Sequence, residues 1–137
     1  AQLPGVHALT DVTGFGLAGH ALEMARGSGC HVRIDWARVP LLPGVAGLAA
    51  RGFVTGASER NWIGYGEQVD LSSGLSREDR VLLSDPQTSG GLLVACAPQT
   101  VEAVLSVFAR HGFDSAAVVG RVQGALPGER PRLLVSQ

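Results

Sequence analysis

Residues 10–20 read TDVTGFGLAGH, and they join two segments with different hydrophobic periodicity. The apolar run at residues 6–12 predicts a strand. A helix is predicted for residues 14–26, because small and apolar side chains recur there on one face, at Ala18, Ala21, Leu22 and Ala25. Thr13 is the expected helix N-cap. The stretch therefore predicts a strand, a glycine-rich turn and a helix.

The three glycines of this stretch match the G-x-G-x-x-G spacing of a dinucleotide-binding turn, and Asp35 ends the next predicted strand. Three observations oppose that interpretation. Asp11 puts a carboxylate where two phosphates would lie, and prolines follow Asp35 in place of further strand–helix units. A second glycine-rich segment, DPQTSGG (residues 85–91), has no role in a dinucleotide-binding fold. We therefore favour a different chemistry.

Asp11 follows a predicted strand and precedes a predicted helix N-terminus. Mg²⁺ binds through one or two carboxylates together with substrate phosphates, and the amides at a helix N-terminus attract phosphate oxygens. These residues predict a metal-bridged nucleotide site, with Asp11 as the Mg²⁺ ligand and Thr13 and Gly14 beside the phosphates. From the residues alone, a structural role for Asp11 in a turn stays open.

Composition narrows the function classes. A chain of 137 residues with 45% apolar residues can bury a core of its own. Its net charge of −1 provides no field for a polyanion, so we expect no nucleic-acid partner. All eleven basic residues are arginines, so the chain has no phosphate-binding lysine. No apolar run reaches the length of about 20 residues that spans a bilayer, and the isolated Cys30 and Cys96 favour a reducing, cytoplasmic location.

The rest of the chain alternates unevenly between strand and helix patterns, which predicts the α+β class. We predict strands at residues 31–35, 92–95, 116–122 and 132–135, and helices at 44–50, 77–83 and 98–110. Residues 52–76 are polar and glycine-rich without a sustained period, so we predict an irregular, mobile segment there.

Four segments carry a family resemblance in their order along the chain: HALTDVTGFGLAGHALEM (7–24), VPLLPG (39–44), SERN (58–61) and SDPQTSGGLLVA (84–95). Together they resemble the C-terminal domain of selenophosphate synthetase, also called selenide, water dikinase, of the aminoimidazole ribonucleotide synthetase superfamily. AAVVGRV (116–122) resembles the closing strand of that family, so the likeness covers essentially the whole chain.

The resemblance implies a three-layer α/β/α sandwich of the α+β class. It also implies an ATP-dependent enzyme that forms selenophosphate from selenide, ATP and water and releases AMP and phosphate. Enzymes of the family are homodimers, and the aspartate of their TDVTGFG motif, which matches Asp11, is a Mg²⁺ ligand.

Other functional residues of the family precede this domain: the nucleophilic Cys or Sec, a lysine, two more metal-binding aspartates and a glycine-rich loop. None has a counterpart in this sequence. We therefore expect residues 1–137 to be one domain, the C-terminal half of a longer enzyme, which acts with its own N-terminal domain and is inactive alone. The alternatives are a non-catalytic dimerisation or partner-binding module, or a domain of another superfamily member, aminoimidazole ribonucleotide synthetase or thiamine monophosphate kinase.

Four polar residues of the motifs have no role that the sequence decides. For Asp85 we favour a turn made with Thr88 or with the amides of its own loop. Thr88 and Ser89 either shape a nucleotide pocket or allow a tight entry into the following strand, and Asn61 either lines the site or holds a turn.

His20 and Glu23 are one helical turn apart, which supplies only two metal ligands, so we expect an ordinary surface or interface histidine.

Overall fold

The computed structural model describes residues 3–137, in which the strands form two separate sheets. The strands are β1 (Val6–Asp11), β2 (Cys30–Asp35), β3 (Val69–Leu71), β4 (Leu92–Cys96), β5 (Gly120–Gly124) and β6 (Leu133–Ser136). β1 and β4 form an antiparallel pair. The larger sheet has the order β3–β6–β2–β5, with β6 parallel to both of its neighbours and β5 antiparallel to β2.

Five α-helices accompany the strands within residues 3–137: α1 (Gly16–Ser28), α2 (Val45–Ala50), α3 (Gly56–Tyr65), α4 (Arg77–Ser84) and α5 (Val101–Arg110). Short 3₁₀ turns occupy Trp36–Arg38, Gly66–Gln68 and Pro98–Thr100. The predicted α+β class is confirmed. The strand predicted at residues 116–122 begins later, at Gly120, and the first turn of the helix predicted at 98–110 is 3₁₀.

The core forms where α1 lies against the larger sheet. The predicted apolar face of α1 is confirmed, since Ala18, Ala21, Leu22 and Ala25 are fully buried. They belong to one cluster with Ile34 of β2 and with Leu133 and Val135 of β6. Three of the four helix residues are alanines, so the axis of α1 can approach the sheet closely. The start of α1 is thereby fixed relative to the strands.

The prediction of an irregular segment at residues 52–76 is wrong, because α3, a 3₁₀ turn and β3 lie there. The side chain of Thr55 caps α3 by accepting a hydrogen bond from the Ser58 amide at 3.2 Å. Gly56 and Gly64 lower the intrinsic helix propensity of this segment. Tertiary contacts made by Ser58 and Tyr65, the two buried residues of α3, stabilise the helix instead.

α4 begins with a capping box, and the carboxylate of that box also accepts a hydrogen bond from the 3₁₀ turn after β2. The Ser76 hydroxyl accepts from the Asp79 amide at 3.1 Å, and the Asp79 carboxylate accepts from the Ser76 amide at 2.8 Å. The Trp36 indole donates to the same carboxylate at 2.7 Å. Partial burial alone would raise the pKa of Asp79, but the hydrogen bonds from Ser76 and Trp36 lower it below its usual value.

Replacing Ser76 with alanine removes the hydroxyl half of this capping box. We expect Ser76→Ala to lower the free energy of unfolding by about 1 kcal/mol, measured by urea denaturation at neutral pH. Ser73→Ala is the matched control, since Ser73 is exposed just upstream and its side chain has no hydrogen bond within residues 3–137. Equal stability of the two variants would contradict the capping role.

Candidate functional site

The two glycine-rich motifs are neighbours in the structure. The Val12 amide donates to the Gly91 carbonyl at 2.9 Å, and the Gln87 amide donates to the Thr13 carbonyl at 3.0 Å. These bonds continue the β1–β4 pairing, in which Asp11 lies opposite Leu92. Two segments more than 70 residues apart in sequence therefore form one surface at the start of α1.

Two glycines allow this close approach. Gly16 has φ +68°, and a Cβ there would lie 2.6 Å from the Ser84 carbonyl carbon and 2.8 Å from the Leu83 oxygen. A Cβ on Gly90 would collide with the Val12 carbonyl oxygen. Gly14 differs, because a Cβ there would meet nothing within 4 Å. Gly16 and Gly90 are thus required for packing, whereas Gly14 is exposed at the surface.

α3 supports this turn from a third segment. The Asn61 side-chain amide donates to the Gly14 carbonyl at 2.9 Å and to the Ser84 carbonyl at 3.0 Å. The Tyr65 hydroxyl donates to the Phe15 carbonyl at 2.7 Å, and burial raises the pKa of this phenol. Of the two roles open for Asn61, the structure supports holding the turn. Through Asn61, the SERN motif therefore contacts both of the other motifs.

Asp85 does not make the predicted turn with Thr88 or with its own loop amides. Its Oδ1 accepts hydrogen bonds from the Ser58 hydroxyl at 2.8 Å and from the Thr55 hydroxyl at 3.2 Å. The prediction is wrong because it weighed only partners within the loop. The carboxylate lies where α3 begins, so it favours that helix terminus electrostatically. Thr88 and Ser89 are exposed.

Thr13 is not the N-cap of α1, because the chain makes an additional turn before the helix. The N-cap position is Phe15, and no side chain caps the helix there. The Thr13 hydroxyl instead shares a 3.2 Å hydrogen bond with His20 Nε2. His20 is buried, so the surface alternative of the predicted surface or interface histidine is wrong, and its Nδ1 lies 2.9 Å from a Glu23 carboxylate oxygen. Among the residues that the structure describes, no side chain therefore caps this end of α1.

Asp11 is exposed at the end of β1. Within residues 3–137 its carboxylate takes part in no hydrogen bond or salt bridge. The same part of the chain contains no group of three or more His, Cys, Asp or Glu side chains able to hold a metal ion. A free hard-oxygen ligand beside uncapped helix amides fits one corner of a Mg²⁺–phosphate site. A complete site of this kind would need ligands beyond the one carboxylate of Asp11.

A larger cavity lies beside this surface and differs in chemistry. It has a volume of about 770 Å³ and is lined mainly by apolar side chains of β4 and α5 and by residues 115–122. Val12 and Gly90 reach its lining, but Asp11 and Gly14 do not. The exposed Asp11 and Gly14 of the turn therefore lie outside this cavity. No helix within residues 3–137 has the length and apolarity to cross a membrane.

A family described as "AIR synthase related protein, C-terminal domain" has a sequence model that matches residues 1–128. The chain belongs to this family. Similar curated proteins are "Selenide, water dikinase" of Pseudomonas straminea, 59% identical over 127 residues, and "Selenide, water dikinase" of Dechloromonas aromatica, 52% identical over 128 residues. Each alignment covers 93% of this chain, but only 36% and 37% of the respective relative. The chain thus spans about a third of the length of these relatives.

Solved structures show the same fold at low sequence identity. Escherichia coli HypE has a TM-score of 0.63 at 23% identity, covering 96% of this chain and 32% of that protein. Thiamine-monophosphate kinase from Stenotrophomonas maltophilia has a TM-score of 0.56 at 15% identity, covering 94% and 31%. A HypE solved in complex with ATP has a TM-score of 0.58 at 17% identity, covering 98% and 34%. This AIR synthase related domain therefore has the fold predicted from its motifs.

The contrast between Gly16 and Gly14 gives a direct test of the site geometry. We expect Gly16→Ala to lower the free energy of unfolding by about 2 kcal/mol or more, because it combines a positive φ with overlap onto the α4 backbone. Thermal or urea unfolding measures this difference. Gly14→Ala is the control in the same turn and should change stability by less than about 0.5 kcal/mol. Equal losses in both variants would contradict the close approach of α1 to α4.

Proposed function

We propose that this chain is the C-terminal domain of an ATP-dependent selenide, water dikinase. The enzyme converts selenide, ATP and water into selenophosphate, AMP and phosphate. The 59% identity to a protein of that name, over 93% of the chain, is the observation that carries the proposal. The location is the cytoplasm, and the full-length enzyme is a homodimer. The chain alone is inactive, because it supplies only part of the site.

In this proposal Asp11 is the Mg²⁺ ligand that the domain contributes. Its carboxylate is exposed and has no hydrogen-bond or ion-pair partner within residues 3–137, which supports that role, since Mg²⁺ is commonly held by few carboxylates together with substrate phosphates. The cation, when bound, neutralises charge that develops on the transferring phosphoryl group. The glycine-rich turn holds Asp11 at a fixed position relative to α1, and Thr13 and Gly14 lie beside the phosphates of ATP.

The partner of this surface is the N-terminal domain of the same polypeptide. Leu9 and Leu92 are 54% and 51% exposed, and Phe15 is 51% exposed. Leu9 and Leu92 lie on the same face of the β1–β4 pair as Asp11, and Phe15 lies in the turn that follows β1. An apolar surface around a single metal ligand is typical of a contact face. Covering it with the N-terminal domain brings further metal ligands to Asp11 and excludes water from the phosphates.

Asp11→Asn in the full-length protein tests the metal-ligand role. We expect AMP formation from ATP and selenide to fall by about 100-fold or more, because a charge-stabilising group is removed from the reacting phosphates. The melting temperature should change little, since the side chain is exposed. Asp114→Asn is the control, because Asp114 is an exposed carboxylate in the loop after α5. Turnover close to wild type in Asp11→Asn would contradict this assignment.

Leu92→Glu in the full-length protein tests the contact face separately. We expect turnover to fall and the two domains to become separable by limited proteolysis, because a charge is placed within an apolar contact. Leu126→Glu is the matched control, since Leu126 is 74% exposed in the loop before β6. A Leu92→Glu enzyme with the proteolysis pattern and turnover of the control would overturn the proposed domain contact.

A further inference from the structure

A second, polar pocket lies on the larger sheet and shares Arg33, Gly120 and Arg121 with the lining of the apolar cavity. It has a volume of about 230 Å³ and is lined by Arg33, Asp35, Arg38, Gly120, Arg121 and Ser136. These residues come from β2, the 3₁₀ turn after it, β5 and β6. Three arginines and one carboxylate leave an excess of two positive charges; Arg33 and Asp35 are half-buried, and Arg38 and Arg121 are exposed at the mouth of the pocket.

Arg33 and Arg121 lie opposite each other on neighbouring strands, which is unfavourable unless an anion binds between them. Arg33 of β2 and Arg121 of β5 are direct partners in the antiparallel register, so both side chains lie on the same face with Cβ atoms about 5 Å apart. Like charges in that position repel and destabilise the pair. Gly120 keeps the strands close at this point, because a Cβ there would collide with the Arg33 carbonyl oxygen.

Within residues 3–137 these arginines have no direct ion-pair partner. None of Arg33, Arg38 and Arg121 forms a salt bridge there, and Asp35 is not within ion-pair distance of any of them. Arg33 Nε is buried and has no hydrogen-bond partner. By contrast, Arg132, which directly precedes β6 of the same sheet, is neutralised by two hydrogen bonds to the Asp70 carboxylate. A buried donor without an acceptor costs free energy that a bound ligand would recover.

We propose that this pocket binds a phosphate dianion. Two negative charges match the excess positive charge, and the guanidinium groups supply the planar paired donors that phosphate oxygens accept. The volume is below the range of about 300–1,000 Å³ that is typical of sites for drug-sized ligands, so the pocket fits a small oxyanion or a single phosphate group. The site is independent of Asp11 and of the proposed kinase activity.

The test measures binding of inorganic phosphate to the full-length protein by calorimetry, with Arg33→Gln/Arg121→Gln compared with wild type. We expect one class of phosphate site to weaken by about tenfold or more in the double variant, because two charged donors are lost. Arg110→Gln is the matched control, since Arg110 is an exposed arginine at the end of α5. Acetate, a monoanion, should bind this site more weakly than phosphate. A phosphate monoester that binds more tightly than inorganic phosphate would identify a phosphorylated metabolite as the source of the group.

Stability without phosphate provides a second readout. We expect Arg121→Gln alone to raise the melting temperature in phosphate-free buffer, because it relieves the repulsion from Arg33, and to reduce the further stabilisation by phosphate. Unchanged phosphate affinity in the double variant, or an equal loss in Arg110→Gln, would overturn the proposal. A lower melting temperature of Arg121→Gln without phosphate would also overturn it, since Arg121 would then already have a carboxylate partner in another part of the protein.

Discussion

The close approach of Gly16 to the end of α4 is the constraint on which the rest of the site depends. It brings the backbone of the TDVTGFG turn against Leu83, Ser84 and Asp85, at a distance that no other residue type permits. The turn is then held by the Asn61 amide, which bonds to a carbonyl on each side of that contact. The Val12 and Gln87 amides add backbone hydrogen bonds between the two glycine-rich motifs beside this contact.

In the glycine-rich surface, some residues hold the turn and others are exposed to solvent. Gly16, Gly90 and Asn61 are occupied with holding the turn, whereas Asp11 and Gly14 remain exposed. Asp85, the other carboxylate of the two motifs, is already hydrogen-bonded by two hydroxyls at the start of α3. A carboxylate with two donors of its own is less available to a cation than an unpaired one. This difference makes Asp11 the better ligand candidate, as its position before the helix suggested.

Local patterns in the sequence predicted most of the fold, because strand alternation and the α1 face are properties of neighbouring residues. α3 escaped prediction because its stability comes from Ser58, Asn61 and Tyr65, whose partners lie 23 to 50 residues away. The partner of Asp85 was missed for the same reason. Thr55, with Glu59 in the first turn of α3, was a local signal for that helix start. The paired arginines could not be predicted, because their opposition requires the β2–β5 register.

Tyr65 is the one tyrosine of this chain, and its buried hydroxyl is bonded to the turn that precedes α1. Two tryptophans also absorb in the ultraviolet, but only the phenol changes its absorption on ionisation in alkali, so that change reports on Tyr65 without any added label. Burial raises the pKa of this phenol, so its ionisation is shifted to higher pH while the turn is intact. The chain thus contains an intrinsic chromophore whose titration distinguishes an opened site from an intact one, even where the remaining helices stay folded.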